Sequence, residues 1–458
     1  MRLLLLNPPS RQTVLRDYYC SSASKAGYLW HPIDLLAQSA LLSSKHDLRV
    51  LDAVAEGMSN VKAEKLIANF APEAVFALTS AATWRDDFHF LETLKRKNGF
   101  KLVLSGEIFM ADVKAVLESN PWIDAVLLSF IGTDLAQYLD GSTEHAANFA
   151  WRDGNKIHVV RTKAKGNYTL GIPRHDLFRM VKYRMPWQPY HPFATVITDY
   201  GCPFGCSFCN SHTFGYALRD LNDLHDELSW LSGRGIRQLF IKDMTFAASR
   251  PHAMAVLEMM IKEKWGFSWN AYCRADLIDS DLAQMMCRAG CRLVQIGVES
   301  ADSNLLAQHG KKISASTARE AFDILKSAGI NAGAHFIMGL PGDTLDGIRR
   351  TVELAIGLDP IYASFNIAMP RLGASLDDSN WMDRPLDSSG IKPFFKLDDL
   401  SSDALVKERN RALRRFYFRP IYWAKALGAI KTPYQLWNLI YHAGGFAINR
   451  LKENMNPN

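Results

Sequence analysis

Three of the seven cysteines crowd into eight residues of the stretch Gly201-Cys202-Pro203-Phe204-Gly205-Cys206-Ser207-Phe208-Cys209, in a CxxxCxxC spacing. Thiolates so spaced on one tight loop can hold three irons of a cubane cluster and leave the fourth iron open to an exogenous ligand. Gly201, Pro203 and Gly205 let the loop curl closely around such a group. With His212 the same cysteines could instead make a Cys₃His tetrahedron around a structural zinc, which would suit a binding protein rather than an enzyme. The other four, Cys20, Cys273, Cys287 and Cys291, are scattered and read as buried thiols. An odd total without framework spacing excludes a secreted disulfide scaffold and points to a reducing cytoplasm.

The elements around this loop follow from apolar periodicity. Leu3–Leu6, Leu48–Leu51, Ala74–Leu78, Lys101–Leu104 and Ala125–Leu128 read as strands separated by helical patterns. They predict an α/β fold whose first domain, residues 1–145, is an open, parallel, doubly wound sheet. Ligands of such sheets sit beyond the carboxyl ends of the strands, here near Asn7–Pro9, Asp52, Ser80 and Ser105-Gly106. Residues 146–192 read as a linker that hairpins at Ile157–Val160. The alternation then restarts, with strands at Ala194–Thr198, Gln238–Lys242, Ser268–Arg274, Leu293–Val298, Ala332–Met338 and Ala363–Ala368. Six units are too few for a closed eightfold barrel, so residues 193–398 are expected to form an open six-stranded (β/α)₆ partial barrel with its chemistry at the strand ends. A C-terminal helical extension, residues 399–458, completes the chain.

CxxxCxxC with an aromatic before the last cysteine resembles the radical S-adenosylmethionine (SAM) superfamily. That resemblance implies a [4Fe–4S] cluster on Cys202, Cys206 and Cys209 whose open iron chelates SAM. It also implies reductive cleavage to a 5′-deoxyadenosyl radical, with the electron supplied by an external donor such as flavodoxin or ferredoxin. Matched position by position, Phe208 would lie against the adenine. Asp243, in Lys242-Asp243-Met244-Thr245, would meet the methionyl amine; Lys242 stands where the family usually offers an acidic pair or Gly-Gly-Glu. Arg274 would meet the SAM carboxylate or ribose. Glu299 and Ser300, in Gly297-Val298-Glu299-Ser300, would contact ribose and carboxylate, and Gly339-Leu340-Pro341-Gly342 is similar to the family's turn after the fifth strand.

The preceding sheet narrows the resemblance to cobalamin-dependent radical SAM enzymes. Its carriers are Asn7-Pro8-Pro9, His31-Pro32, Val50-Leu51-Asp52-Ala53 and Leu104-Ser105-Gly106, which would place Asn7, Pro8, Asp52, Ser105 and Gly106 against a corrin. No Asp-x-His-x-x-Gly occurs, so a histidine-ligated cobalt is not supported, and Leu127–Gly132 stands where members commonly show Gly-Glu. The resemblance implies C-methylation of an unactivated carbon on a small-molecule or lipid-like substrate. Its alternative is a radical oxidation or cyclisation of a lipid or tetrapyrrole-like substrate. A methylthiotransferase fits poorly, because residues 1–190 hold only Cys20.

Across 458 residues the net charge is +6, too small an excess to indicate nucleic acid as a partner. From residue 401 onward, however, ten Lys/Arg stand against three acids. They interleave with Phe416-Tyr417-Phe418, Tyr422-Trp423 and Trp437, a composition of interfacial helices. No apolar run is long enough to span a bilayer and the N-terminus lacks a secretory pattern. The expected location is therefore cytoplasmic, peripheral to the inner membrane through this tail; helices packed on the barrel with a solvated basic face are the alternative.

Overall fold

The computed structural model describes residues 1–18, 21–376, 393–397 and 400–455, with the side chains of 447–455 outside the description. Cys20 and the expected barrel boundary at residue 398 lie outside the described residues.

Leu3, Leu4, Leu5 and Leu6 are all buried, so β1 (Arg2–Asn7) is covered on both faces, as a central parallel strand must be. Each such leucine contributes about 2 kcal/mol by leaving water. β1 lies between β2 (Asp47–Asp52) and β3 (Ala74–Leu78), followed by β4 (Lys101–Ser105) and β5 (Ala125–Leu127), all parallel in the order β2-β1-β3-β4-β5. This doubly wound order reverses between β1 and β3, where such sheets open a ligand crevice. The sheet runs on past residue 145. β6 (Asn148–Asp153) pairs antiparallel with β5, and β7 (Lys156–Arg161) closes the edge, so the hairpin read as linker belongs to the first sheet.

The second sheet holds β8 (Phe193–Val196), β9 (Gln238–Ile241), β10 (Ser268–Cys273), β11 (Cys291–Glu299), β12 (Asn331–Met338) and β13 (Tyr362–Ile367) in sequential order. All five pairings are parallel, with helices between strands, giving the open six-stranded partial barrel. The two sheets share apolar cores. Phe193 and Phe240 of the barrel pack in one cluster with Leu3, Leu5 and Phe76 of the first sheet.

The helical extension docks on this body. In helix Ser402–Tyr417 the Tyr417 hydroxyl donates to Ala363 O of β13 at 2.8 Å. Helix Pro433–Met455 straps the molecule, with Asn438 Nδ2 donating to Met185 O at 2.7 Å and His442 Nδ1 donating to Ala26 O at 2.8 Å. Several cations of the tail are spent on this docking. Arg409 is buried and donates to Phe365 O, Arg415 pairs with Glu353, and Arg419 and Lys425 both pair with Asp359. No helix among the described residues is long and apolar enough to cross a membrane.

Candidate active site

The loop carrying the cysteines leaves the barrel just after β8. It is braced from below by the turn that follows helix Ser303–Gln308. Gly310 has φ +71°, and a Cβ there would sit 2.5 Å from Gly205 O, so the two backbones meet at van der Waals closeness. His309 O is part of the same brace: Ser207 N donates to it at 3.0 Å. The His309 ring joins Ser207 Oγ at 2.7 Å through Nδ1 and donates from Nε2 to Pro341 O at 2.9 Å. Thus the turn at Gly339–Gly342 holds the cysteine loop through one imidazole.

Cys202, Cys206 and Cys209 all line one cavity of about 420 Å³. Cys202 Sγ lies 3.9 Å from Thr245 Oγ1, Cys206 Sγ 3.8 Å from Arg274 Nη1, and Cys209 Sγ 3.2 Å from Ser211 Oγ. Burial pushes the Cys202 thiol up to about 11 and raises Cys206 as well, the nearby Lys311 and Arg274 cations pulling Cys206 back. Among the described residues no three Cys, His, Asp or Glu side chains converge as ligands of a single ion.

Phe208, Arg274 and Glu299 open onto the same cavity. Arg274 is held by a two-pronged bond to Asp276 at 2.9 and 2.8 Å and lies 3.9 Å over the Phe204 ring, which fixes its guanidinium beside Cys206. Glu299 takes φ +64°, a backbone state that costs a non-glycine residue on the order of 1–3 kcal/mol and concentrates at functional sites. Its carboxylate pairs with Lys311 Nζ at 2.7 Å, and the same ammonium donates to Gly297 O at 2.7 Å.

Other expected residues are engaged elsewhere. Asp243 is wholly buried and accepts from Thr198 N at 2.7 Å and Thr198 Oγ1 at 2.5 Å, tying β9 to the end of β8. From that stretch Lys242, Met244 and Thr245 reach the cavity, and Asp243 does not. Ser300 lies outside the cavity, its Oγ accepting at 3.1 Å from the N–H of Asp302, the residue whose carboxylate caps helix Ser303–Gln308.

In the first sheet, Asn7 Nδ2 donates to Asp52 Oδ1 at 2.9 Å. Arg16 Nη1 donates to Asn7 Oδ1 at 2.8 Å and to Pro8 O at 2.7 Å, while the Tyr183 hydroxyl donates to Asp52 Oδ2 at 2.9 Å. These groups saturate one another. Ser105 Oγ donates to Asp34 Oδ1 at 2.9 Å, and Gly106 at φ +152° lies so close to Thr79 that a Cβ would meet Thr79 O at 2.1 Å. What the first sheet brings to the cavity is Ala81 beyond β3, Glu107 beyond β4 and the segment from Ser21 to Trp30.

Sequence reading missed Lys311, His309, Gln295 and Tyr362. Gln295 carried a usable signal, a polar residue inside the apolar run Leu293-Val294-Gln295-Ile296, which must find a partner when buried. Lys311 and His309 carried none beyond the helix-ending Gly310.

Residues 196–355 match the Radical SAM superfamily, and the barrel with its cysteine loop is a radical SAM domain. A [4Fe–4S] cluster and SAM are the cofactors of that domain, as expected from the loop. Together with the sheet ahead of it, the chain has the fold of a cobalamin-dependent radical SAM protein. It is 26% identical over 450 residues to an uncharacterized methyltransferase of Pyrococcus horikoshii, covering 92% of this chain and 93% of the relative. It is 26% identical over 398 residues to the anaerobic magnesium-protoporphyrin IX monomethyl ester cyclase of Rubrivivax gelatinosus, covering 81% of this chain and 68% of that protein. The structure of the radical SAM methyltransferase TsrM from Kitasatospora setae, with cobalamin and a [4Fe–4S] cluster bound, superposes with a TM-score of 0.64 at 18% identity, covering 82% of this chain and 74% of that one.

Proposed function

We propose that this protein is a cobalamin-dependent radical SAM C-methyltransferase. The observation that carries the reading is that the three cysteines and the carboxyl ends of β3 and β4 face one cavity. When bound, the cluster supplies the electron that splits SAM, and a corrin supplies the methyl group. Cys202, Cys206 and Cys209 would hold the cluster. The fit is favourable, since three thiol groups on one loop border a cavity that Arg274 and Lys311 make electropositive, which stabilises thiolate and the SAM carboxylate alike. Phe208 offers an apolar face to a purine, and Glu299, fixed by Lys311, is placed to accept from ribose hydroxyls or an ammonium. A corrin would meet Ala81, Glu107 and the stretch Ser21–Ala23. Asn7, Pro8 and Asp52 are not offered for that role, because their polar atoms are already paired.

Names of relatives support methyl transfer: of two relatives that span nearly the whole chain, the one at 26% identity is named a methyltransferase and the one at 22% a cyclase, and the superposed structure is named a methyltransferase. The substrate is a small molecule, and the electron comes from a flavodoxin or ferredoxin. The tail touches a membrane surface through its apolar face, where Ile421, Leu427, Trp437 and Ile440 are exposed.

The test is anaerobic reconstitution with iron, sulfide and hydroxocobalamin, then gel filtration and absorbance of the protein peak. Iron–sulfur absorbance with a co-eluting corrin band is expected. Cluster without corrin would retire the methyl-transfer reading in favour of radical oxidation or cyclisation, and zinc without sulfide would retire both. Cys206→Ala should remain folded and lower 5′-deoxyadenosine formation at least about a hundredfold, since losing a ligand exceeds the effect of losing a residue behind one.

A further inference from the structure

The barrel strands are in register across their width. Ile241 of β9 pairs with Ala271, Tyr272 with Gln295, Gln295 with Gly333, and Gly333 with Tyr362. Lys242, Tyr272, Gln295 and Tyr362 therefore form one layer across the barrel. Tyr272, Gln295 and Lys242 line the cavity, and so does His335 in the layer above. Gln295 precedes Glu299 by four residues, one of them taken up by the bulge between Gly297 and Glu299, so this layer is about 10 Å below the rim at roughly 3.3 Å per residue.

The layer is built for a purpose other than packing. At Gly333 a Cβ would fall 2.5 Å from the Tyr362 ring, so the missing side chain is what lets that ring lie across β12 and reach β11. The Tyr362 hydroxyl then donates to Gln295 Oε1 at 2.6 Å. Its oxygen accepts from His335 Nε2 at 3.2 Å. The amide is thereby turned so that Gln295 Nε2, in a side chain 4% exposed, has no partner. A buried amide donor without an acceptor costs about 1–3 kcal/mol unless a ligand satisfies it. Around it stand aromatic rings, with Tyr28 and Trp30 stacked at 5.9 Å and Tyr272 6.0 Å from His335. Two ammonium groups share this end. Lys25 donates to Asn366 Oδ1, and Lys242 lies 5.2 Å over Trp30 with Asp17 at 3.8 Å. Burial, with the charges of Lys25 and Lys311, lowers His335 to about 4 and keeps it neutral.

We propose that this deep layer is the substrate's docking site and that it takes a carboxylic acid with a flat aromatic or conjugated body, whose carboxylate accepts from Gln295 Nε2. The inference rests on the radical SAM reading of the rim, which leaves the floor of the cavity for the second reactant. A carboxylate is favoured over a neutral carbonyl because two ammonium groups border the same dry end, where charge is weakly screened. The rings supply the flat walls.

The test uses indole-3-propionic acid and 1-pyrenebutyric acid, each beside its methyl ester, in equilibrium dialysis against the full reconstituted chain. At least one acid is expected to bind below about 1 mM and about tenfold more tightly than its ester. Gln295→Glu keeps the shape, replaces the donor by a like charge and should erase the preference; Gln295→Met serves if that variant does not fold. Gly333→Ala, which displaces the Tyr362 ring, should weaken the acid as well. Equal binding of acid and ester, no acid binding below that limit, or an unchanged preference in the Gln295 variants would overturn the proposal. Iron and sulfide content and 5′-deoxyadenosine formation, measured on the same wild-type preparation, report the radical SAM reading separately. Their loss alongside an intact acid preference would sink that reading and not the docking site.

Discussion

At the scale of single residues, the cysteine loop depends on a neighbour with no side chain. Gly310→Ala must place a Cβ against Gly205 O and hold φ +71°, so it should cost about 1–3 kcal/mol and lower iron incorporation. Gly329 has φ +77° with nothing within 4 Å, so Gly329→Ala should carry only the conformational part of that cost and load iron normally. Iron content against melting temperature for the two variants separates them; equal iron loss in both would contradict the brace. A second residue-scale expectation concerns Asp34, which burial and the charge of Asp17 raise to about 7 from 3.8. An acid raised in the folded state contributes stability that is complete below its unfolded value and is lost as pH rises toward the folded one. Asp34→Asn should therefore lose less melting temperature than wild type between pH 5 and pH 8, and a parallel loss in both proteins would refute the assignment. What the sequence made legible at this scale is the chemistry of types in patterns: Cys202, Cys206, Cys209, Phe208, Arg274 and Glu299 do share the cavity. It could not give direction. Asp243 and Met244 follow the same strand end, and only the turn after β9 decides that Thr198 takes the first while the cavity takes the second.

At the scale of elements, runs of four to seven residues identified the eleven parallel strands of the two sheets among the described residues, because a strand covered on both faces needs a largely apolar run. The hairpin β6–β7 escaped assignment to the first sheet, since its partial burial resembles any edge hairpin and nothing local says which sheet it joins. The tail was half legible. Its basic and aromatic composition suggested a lipid surface, yet Arg415, Arg419 and Lys425 pair with Glu353 and Asp359 of the barrel. If helices Pro420–Gly428 and Pro433–Met455 meet lipid, they do so through Ile421, Trp423, Leu427, Trp437 and Ile440. Co-sedimentation with vesicles should then change little between neutral and anionic lipid or with added salt. The double variant Ile421→Ser/Ile440→Ser should weaken it at least about tenfold, by removing two exposed aliphatic side chains that lipid would cover. Binding that collapses in salt while tolerating that variant would return the role to the cations.

At the scale of the molecule, the two sheets are not independent. Ile197, Tyr200, Phe214 and Ala217 from the start of the barrel sit in the apolar cluster of the first sheet, as Phe193 and Phe240 sit in another. Chains of this length commonly unfold domain by domain. Here a shared core predicts one calorimetric transition, and a fragment ending after β7 should be unfolded on its own. Two resolved transitions, or a folded fragment with a cooperative melt, would show that the contacts are incidental. The six-stranded barrel and the sheet before it were readable one at a time; their common core was not, because pairings between distant segments leave no local periodicity.

The strap from His442 to Ala26 joins residues 416 positions apart. Contacts of such sequence separation form late, and on a ribosome this one must await synthesis through residue 442. The wall bearing Lys25 is therefore fastened only after the barrel it faces has been made, so that a chain cut short before residue 442 keeps the barrel and loses that clasp.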